Sequence, residues 1–252
     1  MFNKLANTVA FVTGGGSGLG LGTIKRLIDQ GVKGVAAFDL KKPDFAHDKL
    51  LSIEGNVLEE KDVAKALDAC EKKFGNIGAV INCAGIGYAA RIYDYRKNRT
   101  HPLEEFKKVL EVNTVGTFNV SRLAAQFLSK NDMMAGQRGV IVMTSSVAAY
   151  DAQIGQAAYA ASKGAVNSMT LAISRDLATL GVRCVTIAPG LFDTPLLQAL
   201  PDKVRVQLAS TVPCPARLGD PMEYGHLVQA IIENPMLNGE VIRLDGALRM
   251  QP

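Results

Sequence analysis

The chain has 252 residues, of which 48% are hydrophobic and 21% charged, and this length can bury the core of one ordinary α/β domain. A net charge of +4 is too mild to imply a nucleic-acid or membrane partner, and no apolar run reaches the ~18 residues of a membrane span. The four scattered cysteines and three unclustered histidines predict neither a disulfide framework nor a metal site, so we expect a reducing compartment. Only about six residues precede the first predicted strand, so we expect no cleavable secretory signal.

Short apolar strands alternate with helical patterns along the whole chain. The strand candidates lie at 8–13, 34–39, 51–53, 79–82, 139–144, 182–187 and 241–244. This alternation predicts a single Rossmann-like domain over 1–252, with a doubly wound parallel sheet and helices on both faces. Two segments interrupt the pattern: a polar, basic insertion at 87–102 and a leucine-rich stretch with five prolines at 191–221. We expect both to overhang the carboxyl ends of the strands, the second as a substrate lid.

The first strand leads into a glycine-rich turn containing Gly14, Gly18 and Gly20, and an amphipathic stretch follows to about Gln30. This arrangement allows backbone N–H groups to meet a pyrophosphate at the N-terminus of a helix. Similar turns also join strands to helices without any ligand, so the neighbouring strands decide between the two interpretations.

The second strand ends in Asp39, 19 residues after Gly20. A carboxylate at this position can accept hydrogen bonds from both ribose hydroxyls and would repel a 2′-phosphate. Lys41 and Lys42 argue the other way, because an ammonium group can neutralise that phosphate. Lysines just beyond a strand end are more often part of a solvated loop. The pattern therefore favours NAD over NADP.

Tyr159 and Lys163 stand four residues apart in Y-A-A-S-K and would share one face of a helix. An ammonium beside a phenol favours its ionised form, which makes Tyr159 a candidate acid/base. Ser146 closes the apolar run G-V-I-V-M-T-S-S, whose carboxyl end should reach the same cleft. An isolated Tyr-x-x-x-Lys is more often a surface pair, but beside a nucleotide site it indicates a hydroxyl/carbonyl oxidoreductase.

Several motifs follow one another at characteristic spacing: T-G-G-G-S-G-L-G at 13–20, N-C-A-G at 82–85, E-V-N-T around Asn113, Ser146, Tyr159-x-x-x-Lys163, and P-G-L-F-D-T at 189–194. In order and spacing they resemble the short-chain dehydrogenase/reductase family over almost the whole chain. The resemblance implies a Ser-Tyr-Lys-Asn mechanism. Tyr159 would take the hydroxyl proton, Lys163 would lower the phenol pKa and bind the nicotinamide ribose, and Ser146 would hydrogen-bond the reacting oxygen.

The fourth catalytic residue implied by the resemblance is Asn113, which would hold a water that relays protons from the lysine. From the residues alone, the preferred interpretation of Asn113 is an amide that caps a helix or strand.

The resemblance also implies a set of cofactor contacts: Ser17, Leu19 and Asp39 on the dinucleotide, Val57 on adenine, Cys83, Ala84 and Gly85 near the ribose, and Phe192 and Thr194 at the nicotinamide. Asn56 departs from the family, which usually has an aspartate that accepts from the adenine amino group. An amide oxygen can still accept that bond, so we expect weaker adenine binding at most. Asp193 adds a negative charge beside the nicotinamide loop, where close relatives have glycine.

Within the family, the stretches at 188–197 and 217–252 resemble enzymes that oxidise the 3-hydroxyl of short and branched 3-hydroxyacyl-CoA esters in fatty-acid β-oxidation and isoleucine breakdown, and that also act on steroid alcohols. This implies an NAD-dependent, mitochondrial homotetramer. It also implies a scaffold role in mitochondrial tRNA processing, with a tRNA methyltransferase as partner. Residues 1–12, with one lysine and no acid, are compatible with an uncleaved mitochondrial address.

The candidates for contact with an acyl or steroid substrate are Ser146, Tyr159, Gln153, Gln156, Leu196, Leu197 and Leu200. Leucines in a lid often only pack against one another. The basic residues of the insertion can bind the phosphates of coenzyme A, serve a partner or simply be solvated: Arg91, Arg96, Lys97, Arg99 and His101. The remaining alternative, an NADP-dependent ketoacyl or steroid reductase, is opposed by Asp39.

Overall fold

The computed structural model describes residues 5–252. Residues 1–4, which contain the single lysine of the predicted mitochondrial address, lie outside the described part. The strands, in chain order, are β1 Val9–Thr13, β2 Gly34–Asp39, β3 Leu50–Glu54, β4 Ile77–Asn82, β5 Tyr93–Asp94, β6 Arg99–Thr100, β7 Gly139–Thr144, β8 Val182–Pro189 and β9 Val241–Leu244. The helices are α1 Gly18–Asp29, α2 Glu60–Phe74, α3 Leu103–Leu110, α4 Thr117–Leu128, α5 Ala157–Asp176, α6 Pro195–Gln198, α7 Asp202–Ser210 and α8 Pro221–Glu233.

Seven of the strands form one sheet in the order β3-β2-β1-β4-β7-β8-β9. Every neighbouring pair in it is parallel. The strand order reverses between β1 and β4, which is where open α/β sheets bind ligands at the carboxyl ends of their strands. The predicted single-domain, doubly wound fold is confirmed, and all seven predicted strands belong to this sheet.

Side chains of β1 show why the sheet needs helices on both faces. All of its residues are buried, and Ala10 and Val12 point to a different cluster from Val9 and Phe11, as the two-residue period of a strand requires. The first cluster contains apolar side chains of α1 and α8, and the second contains those of α2, α4 and α5. Two apolar layers therefore cover the sheet and fix the ends of β1, β4 and β7 relative to one another.

The two interruptions of the strand–helix pattern have their own structure. Within 87–102, β5 and β6 form a small antiparallel hairpin that pairs Tyr93 with Thr100 and Asp94 with Arg99. Within 191–221 lie the short helices α6 and α7. Strands of two residues are too short to show an alternation of apolar and polar side chains, so the sequence did not predict the hairpin. Among residues 5–252, no helix combines the length and hydropathy of a transmembrane segment.

Candidate active site

The glycine-rich turn after β1 packs directly against the segment that follows β4. Gly14 has φ of +64°, and a Cβ at this position would lie 2.7 Å from the Ala84 nitrogen. A Cβ on Gly20 would lie 2.1 Å from the Gly14 carbonyl oxygen. The Ala84 N–H also donates to the Thr13 hydroxyl at 3.2 Å. Only glycine permits this close approach, which brings the turn and the N-C-A-G motif together.

The N-terminus of α1 has the properties of an anion site. Ser17 is the N-cap residue in an extended conformation, and its side chain makes no capping hydrogen bond. The N–H groups of the first helical turn, from Gly18 onward, are therefore not capped by this side chain, and the helix dipole favours negative charge there. These residues fit a pyrophosphate.

Asp39 is fixed beside the same turn by two backbone donors. Gly16 N–H donates to Asp39 Oδ2 at 2.9 Å and Lys41 N–H to Oδ1 at 3.3 Å. Each carboxylate oxygen keeps a second acceptor position, as two ribose hydroxyls would require. The side chains of Lys41 and Lys42 are exposed. The structure thus places the Asp39 carboxylate, and not the lysine side chains, against the glycine-rich turn.

The two residues predicted to contact adenine, Asn56 and Val57, both have limited capacity left for a ligand, for different reasons. Asn56 Oδ1 accepts from Leu58 N–H at 3.0 Å, so the oxygen expected to meet adenine already stabilises a turn and has one acceptor position left. Val57 is 9% exposed, and its carbonyl accepts from Asn119 Nδ2 at 2.8 Å. Most of Val57 therefore belongs to the core, with only a small surface available to a ligand.

Cys83 turns its side chain away from the turn that its backbone contacts. Its Sγ lies 3.8 Å from the Tyr224 hydroxyl and 3.6 Å from Thr144 Oγ1. Burial raises the pKa of the Cys83 thiol. Any ribose contact in this segment would therefore use the backbone and the neighbouring Ala84 and Gly85, not the thiol.

Tyr159 and Lys163 lie one turn apart near the start of α5, whose alanine-rich first turns favour a helix. Lys163 is 4% exposed, and its Nζ donates to the Thr144 carbonyl at 2.8 Å, at the end of β7. The same Nζ lies 5.7 Å from the centroid of the Tyr159 ring. The helix and the strand end together hold both side chains at the reversal point of the sheet.

Burial dominates the electrostatics of this pair. Burial raises the pKa of Tyr159, and the hydrogen bond with Ser146 acts in the opposite direction. Burial lowers the pKa of Lys163 to about 8. Lys163 Nζ is directed at the Thr144 carbonyl and lies 5.7 Å from the centroid of the phenol ring, so the lowering of the phenol pKa by the lysine stays a prediction. The protein by itself therefore favours the neutral phenol.

Ser146 stands where β7 gives way to a short 3-10 turn, Val147–Ala149. Its Oγ accepts from Ala148 N–H at 3.1 Å, which orients the hydroxyl, and only 8% of the residue is exposed. Ser146 and Tyr159 line the same cavity, and the Ser146 side chain opposes the rise in the phenol pKa that burial causes. The two predicted groups for binding a reacting oxygen are thus adjacent.

Asn113 is fully buried in a π-helical turn, Glu111–Gly116. Its Oδ1 accepts from Ile86 N–H at 2.8 Å, and its Nδ2 donates to the Ile86 carbonyl at 2.9 Å and to Ser162 Oγ at 3.0 Å. The side chain therefore joins the segment after β4 to α5, a positioning role close to the capping interpretation. A proton relay through a water at Asn113 stays a prediction, although π-turns are frequent at functional sites.

A cavity of about 380 Å³ opens beside Ser146 and Tyr159. Its wall includes the predicted substrate and nicotinamide residues Gln153, Gln156, Leu196, Leu197, Leu200, Leu19, Phe192 and Thr194. Gly87, Tyr88 and Ala89 from the start of the basic insertion also line it, as do Asp151 and Met250. Neither periodicity nor a motif predicted that Asp151 and Met250 would line the cavity. The lining is mainly apolar and suits a short hydrocarbon chain.

The charged side chains of the basic insertion and lid, and His101, are not part of this wall. The His101 ring packs against Tyr88 and Phe106, with centroids 5.4 and 6.3 Å away, so it does not face solvent as a phosphate ligand would. Asp193 Oδ1 accepts from Gln198 Nε2 at 3.0 Å at the exposed surface. The Asp193 carboxylate is thus held by another residue of the lid, Gln198.

Comparison with known proteins agrees with this geometry. The family model described as short chain dehydrogenase matches residues 8–205. The 3-hydroxyacyl-CoA dehydrogenase type-2 of Rattus norvegicus is 56% identical over 250 residues, which cover 97% of this chain and 96% of that protein. The enzyme of the same name from Drosophila melanogaster is 55% identical, with coverage of 98% and 100%. The crystal structure of 3-hydroxyacyl-CoA dehydrogenase type-2 from Mycobacterium avium has a TM-score of 0.90 and 34% identity, with coverage of 100% for both chains.

Proposed function

Because the chain belongs to the short-chain dehydrogenase family, we propose that it interconverts 3-hydroxyacyl-CoA and 3-ketoacyl-CoA esters with NAD as its cofactor. The observation that carries this proposal is the placement of the Tyr159 and Ser146 hydroxyls together on the wall of a mainly apolar cavity, beside buried Lys163. The relatives with 55–56% identity over nearly their whole length are named for this activity, which supports the choice of substrate class.

The residues of the site divide the chemistry between them. A bound nicotinamide dinucleotide supplies the hydride acceptor of the oxidation and the hydride donor of the reduction. In the reduction, the neutral Tyr159 phenol donates its proton to the carbonyl oxygen; in the oxidation, the phenolate takes the proton of the 3-hydroxyl. Ser146 hydrogen-bonds the same oxygen. The leucines of α6 form part of the apolar wall of the cavity.

Lys163 stabilises the Tyr159 phenolate, the form that the oxidation requires. An ammonium group one helical turn from the phenol stabilises the ionised form by Coulomb attraction, which a low-dielectric site strengthens. With a pKa of about 8, the lysine can change protonation near neutral pH and thus accompany proton transfer at Tyr159. This role supplements the hydrogen bond that Nζ makes to Thr144.

NAD preference follows from Asp39, so Asp39→Ser should shift it towards NADPH. The substitution removes a carboxylate that would repel a 2′-phosphate and that would bind the ribose hydroxyls. We expect the ratio of kcat/KM for NADH to that for NADPH to fall by roughly 10–100-fold, since hydrogen bonds to a charged group contribute about 1.5–3 kcal/mol. Steady-state kinetics with both cofactors measure it. Asp48→Ser, which removes an exposed carboxylate from the following loop, is the control. An unchanged ratio in Asp39→Ser would mean that the acid does not face the ribose.

The basic insertion, residues 87–102, carries side chains that can bind the phosphates of coenzyme A. The side chains of Arg91, Arg96, Lys97 and Arg99 are exposed, and within residues 5–252 none of them forms an ion pair with an acid. The segment also begins at the cavity wall, with Gly87–Ala89. This arrangement supports a place for the coenzyme A phosphates next to the acyl cavity.

Replacing those four residues with glutamine should raise the KM for acetoacetyl-CoA by about tenfold or more at low salt, and high salt should reduce the difference, because exposed charges are screened. The control substrate is the acetoacetyl thioester of N-acetylcysteamine, which lacks the phosphates and should be affected little. Equal losses for both substrates would indicate a damaged cavity. If the KM changed for neither substrate, the basic insertion would not bind coenzyme A, and a protein or RNA partner or solvent would be its remaining contacts.

Mitochondrial residence, a homotetramer, a tRNA methyltransferase partner and activity on steroid alcohols stay predictions that rest on family resemblance alone.

A further inference from the structure

The C-terminal segment after β9 folds back onto the substrate cavity. Met250, the third residue from the C-terminus, lines this cavity together with Ser146 and Tyr159. Met250 is only partly exposed, whereas Gln251 and Pro252 after it are exposed. Residues 247–252 belong to no helix or strand, and such a segment keeps a fixed position only where specific contacts hold it. The position of Met250 therefore depends on what anchors the tail.

Two side chains that follow Ser146 in the chain provide one anchor. Gln153 Nε2 donates to the Gln251 carbonyl at 3.1 Å. Arg243, and to a smaller extent the Met250 backbone N–H, lower the pKa of the Asp151 carboxyl. Gln153 and Asp151 themselves line the cavity. The amide of Gln153, predicted from the sequence to contact substrate, is thus used to hold the tail.

Arg243 in β9 provides the second anchor. Its guanidinium donates to Asp151 Oδ2 at 2.6 Å, to Asp245 Oδ2 at 2.7 Å and to the Leu248 carbonyl at 2.8 Å. All three side chains of this ionic group are at most 20% exposed, so solvent screens them less than a surface pair. Leu248 is 2% exposed and packs into the core just before Met250. The tail is therefore pinned on both sides of the methionine.

We propose that Met250 is a specificity-determining residue, whose side chain limits the length of the acyl chain that the cavity accepts. Gln153 and Arg243 are the positioning residues that hold it there. The proposal rests on the proposed function, because it concerns the acyl end of that substrate. A methionine suits the role, since its unbranched side chain fills irregular apolar space.

The test compares 3-ketoacyl-CoA esters with acyl chains of four and eight carbons. In Met250→Ala, the ratio of kcat/KM for the longer to the shorter substrate should rise about tenfold or more, the lower end of what one methylene achieves in a hydrophobic pocket. Met250→Leu should keep a profile close to that of the natural chain, because its volume is similar. Met236→Ala, at a methionine that is 87% exposed, is the matched control and should leave the ratio unchanged.

A binding measurement separates this inference from the proposed function. Calorimetry with saturated acyl-CoA esters of four to ten carbons should show that affinity stops rising at a shorter chain in the natural protein than in Met250→Ala. Gln153→Leu should move the limit in the same direction by a smaller amount. If no ketoacyl ester is turned over but this difference in binding is found, the proposed function fails and the inference stands. A chain-length limit that is the same in Met250→Ala, in both turnover and binding, would overturn the inference.

Discussion

Tyr159→Phe is expected to lower kcat/KM for acetoacetyl-CoA by about 10²–10⁴-fold, the usual contribution of a positioned proton donor, while the Kd for NADH stays within a few-fold. The phenol shares the cavity wall with Ser146 and is the titratable hydroxyl placed to exchange a proton with the reacting oxygen. Removing the hydroxyl leaves the ring and its packing in place. The dinucleotide turn, Asp39 and Lys163 are all unchanged.

Steady-state kinetics and NADH fluorescence titration measure the two effects separately. Tyr88→Phe is the matched control, because Tyr88 lines the same cavity but lies against His101 and not beside Ser146. That variant should lose far less activity than Tyr159→Phe. If Tyr159→Phe kept more than about a tenth of the natural turnover, another group would have to supply the proton, and the assignment would fail.

Lys163→Met should abolish most turnover and weaken NADH binding, yet stabilise the protein without cofactor at pH 7. Burial lowers the pKa of Lys163 from 10.5 to about 8, so the charged form is disfavoured in the folded state. The corresponding free energy is roughly 3 kcal/mol at most, and losing the hydrogen bond to the Thr144 carbonyl offsets about 1 kcal/mol of it. We therefore expect a net gain of about 1–2 kcal/mol in the free energy of unfolding.

The sign of the pH dependence follows from the same shift. Between about pH 8 and 10.5 the unfolded chain binds more protons at this lysine than the folded chain, so the natural protein becomes more stable as pH rises through this window. The advantage of Lys163→Met should therefore be complete below about pH 8 and shrink towards pH 10. Thermal midpoints at pH 7 and pH 10 measure it, with the exposed Lys65→Met as control. A lower midpoint for Lys163→Met at pH 7 would contradict the argument, and unchanged NADH affinity would remove the ribose role.

The sheet was predictable because its signal is local and strong. Each of its strands is a short apolar run between helical patterns. β1 is buried on both faces, so its continuous apolar sequence predicts a strand without knowledge of the strands that pair with it. The pairing of Tyr159 with Lys163 is also local, since a helix brings positions four apart together. The identity of Asp39 as a strand-end acid likewise follows from its position.

The directions of several side chains could not be predicted because they depend on partners far away in sequence. Cys83 faces Tyr224, 141 residues later, and Asn113 bonds Ser162, 49 residues later. The Gln153 amide meets the Gln251 carbonyl across 98 residues. No periodicity or motif reports such contacts, which are set by how β4, α5 and the C-terminal tail pack. The family resemblance supplied the roles of these residues, but not the atoms through which they act.

Steady-state reduction of acetoacetyl-CoA with NADH and, in parallel, with NADPH tests whether the chain is an NAD-dependent 3-hydroxyacyl-CoA dehydrogenase. We predict saturable turnover with NADH and a kcat/KM at least about tenfold higher than with NADPH, as expected where a carboxylate faces the ribose. Turnover that prefers NADPH would contradict the role of Asp39 and favour a ketoacyl or steroid reductase. No turnover with either cofactor would contradict the proposed reaction itself.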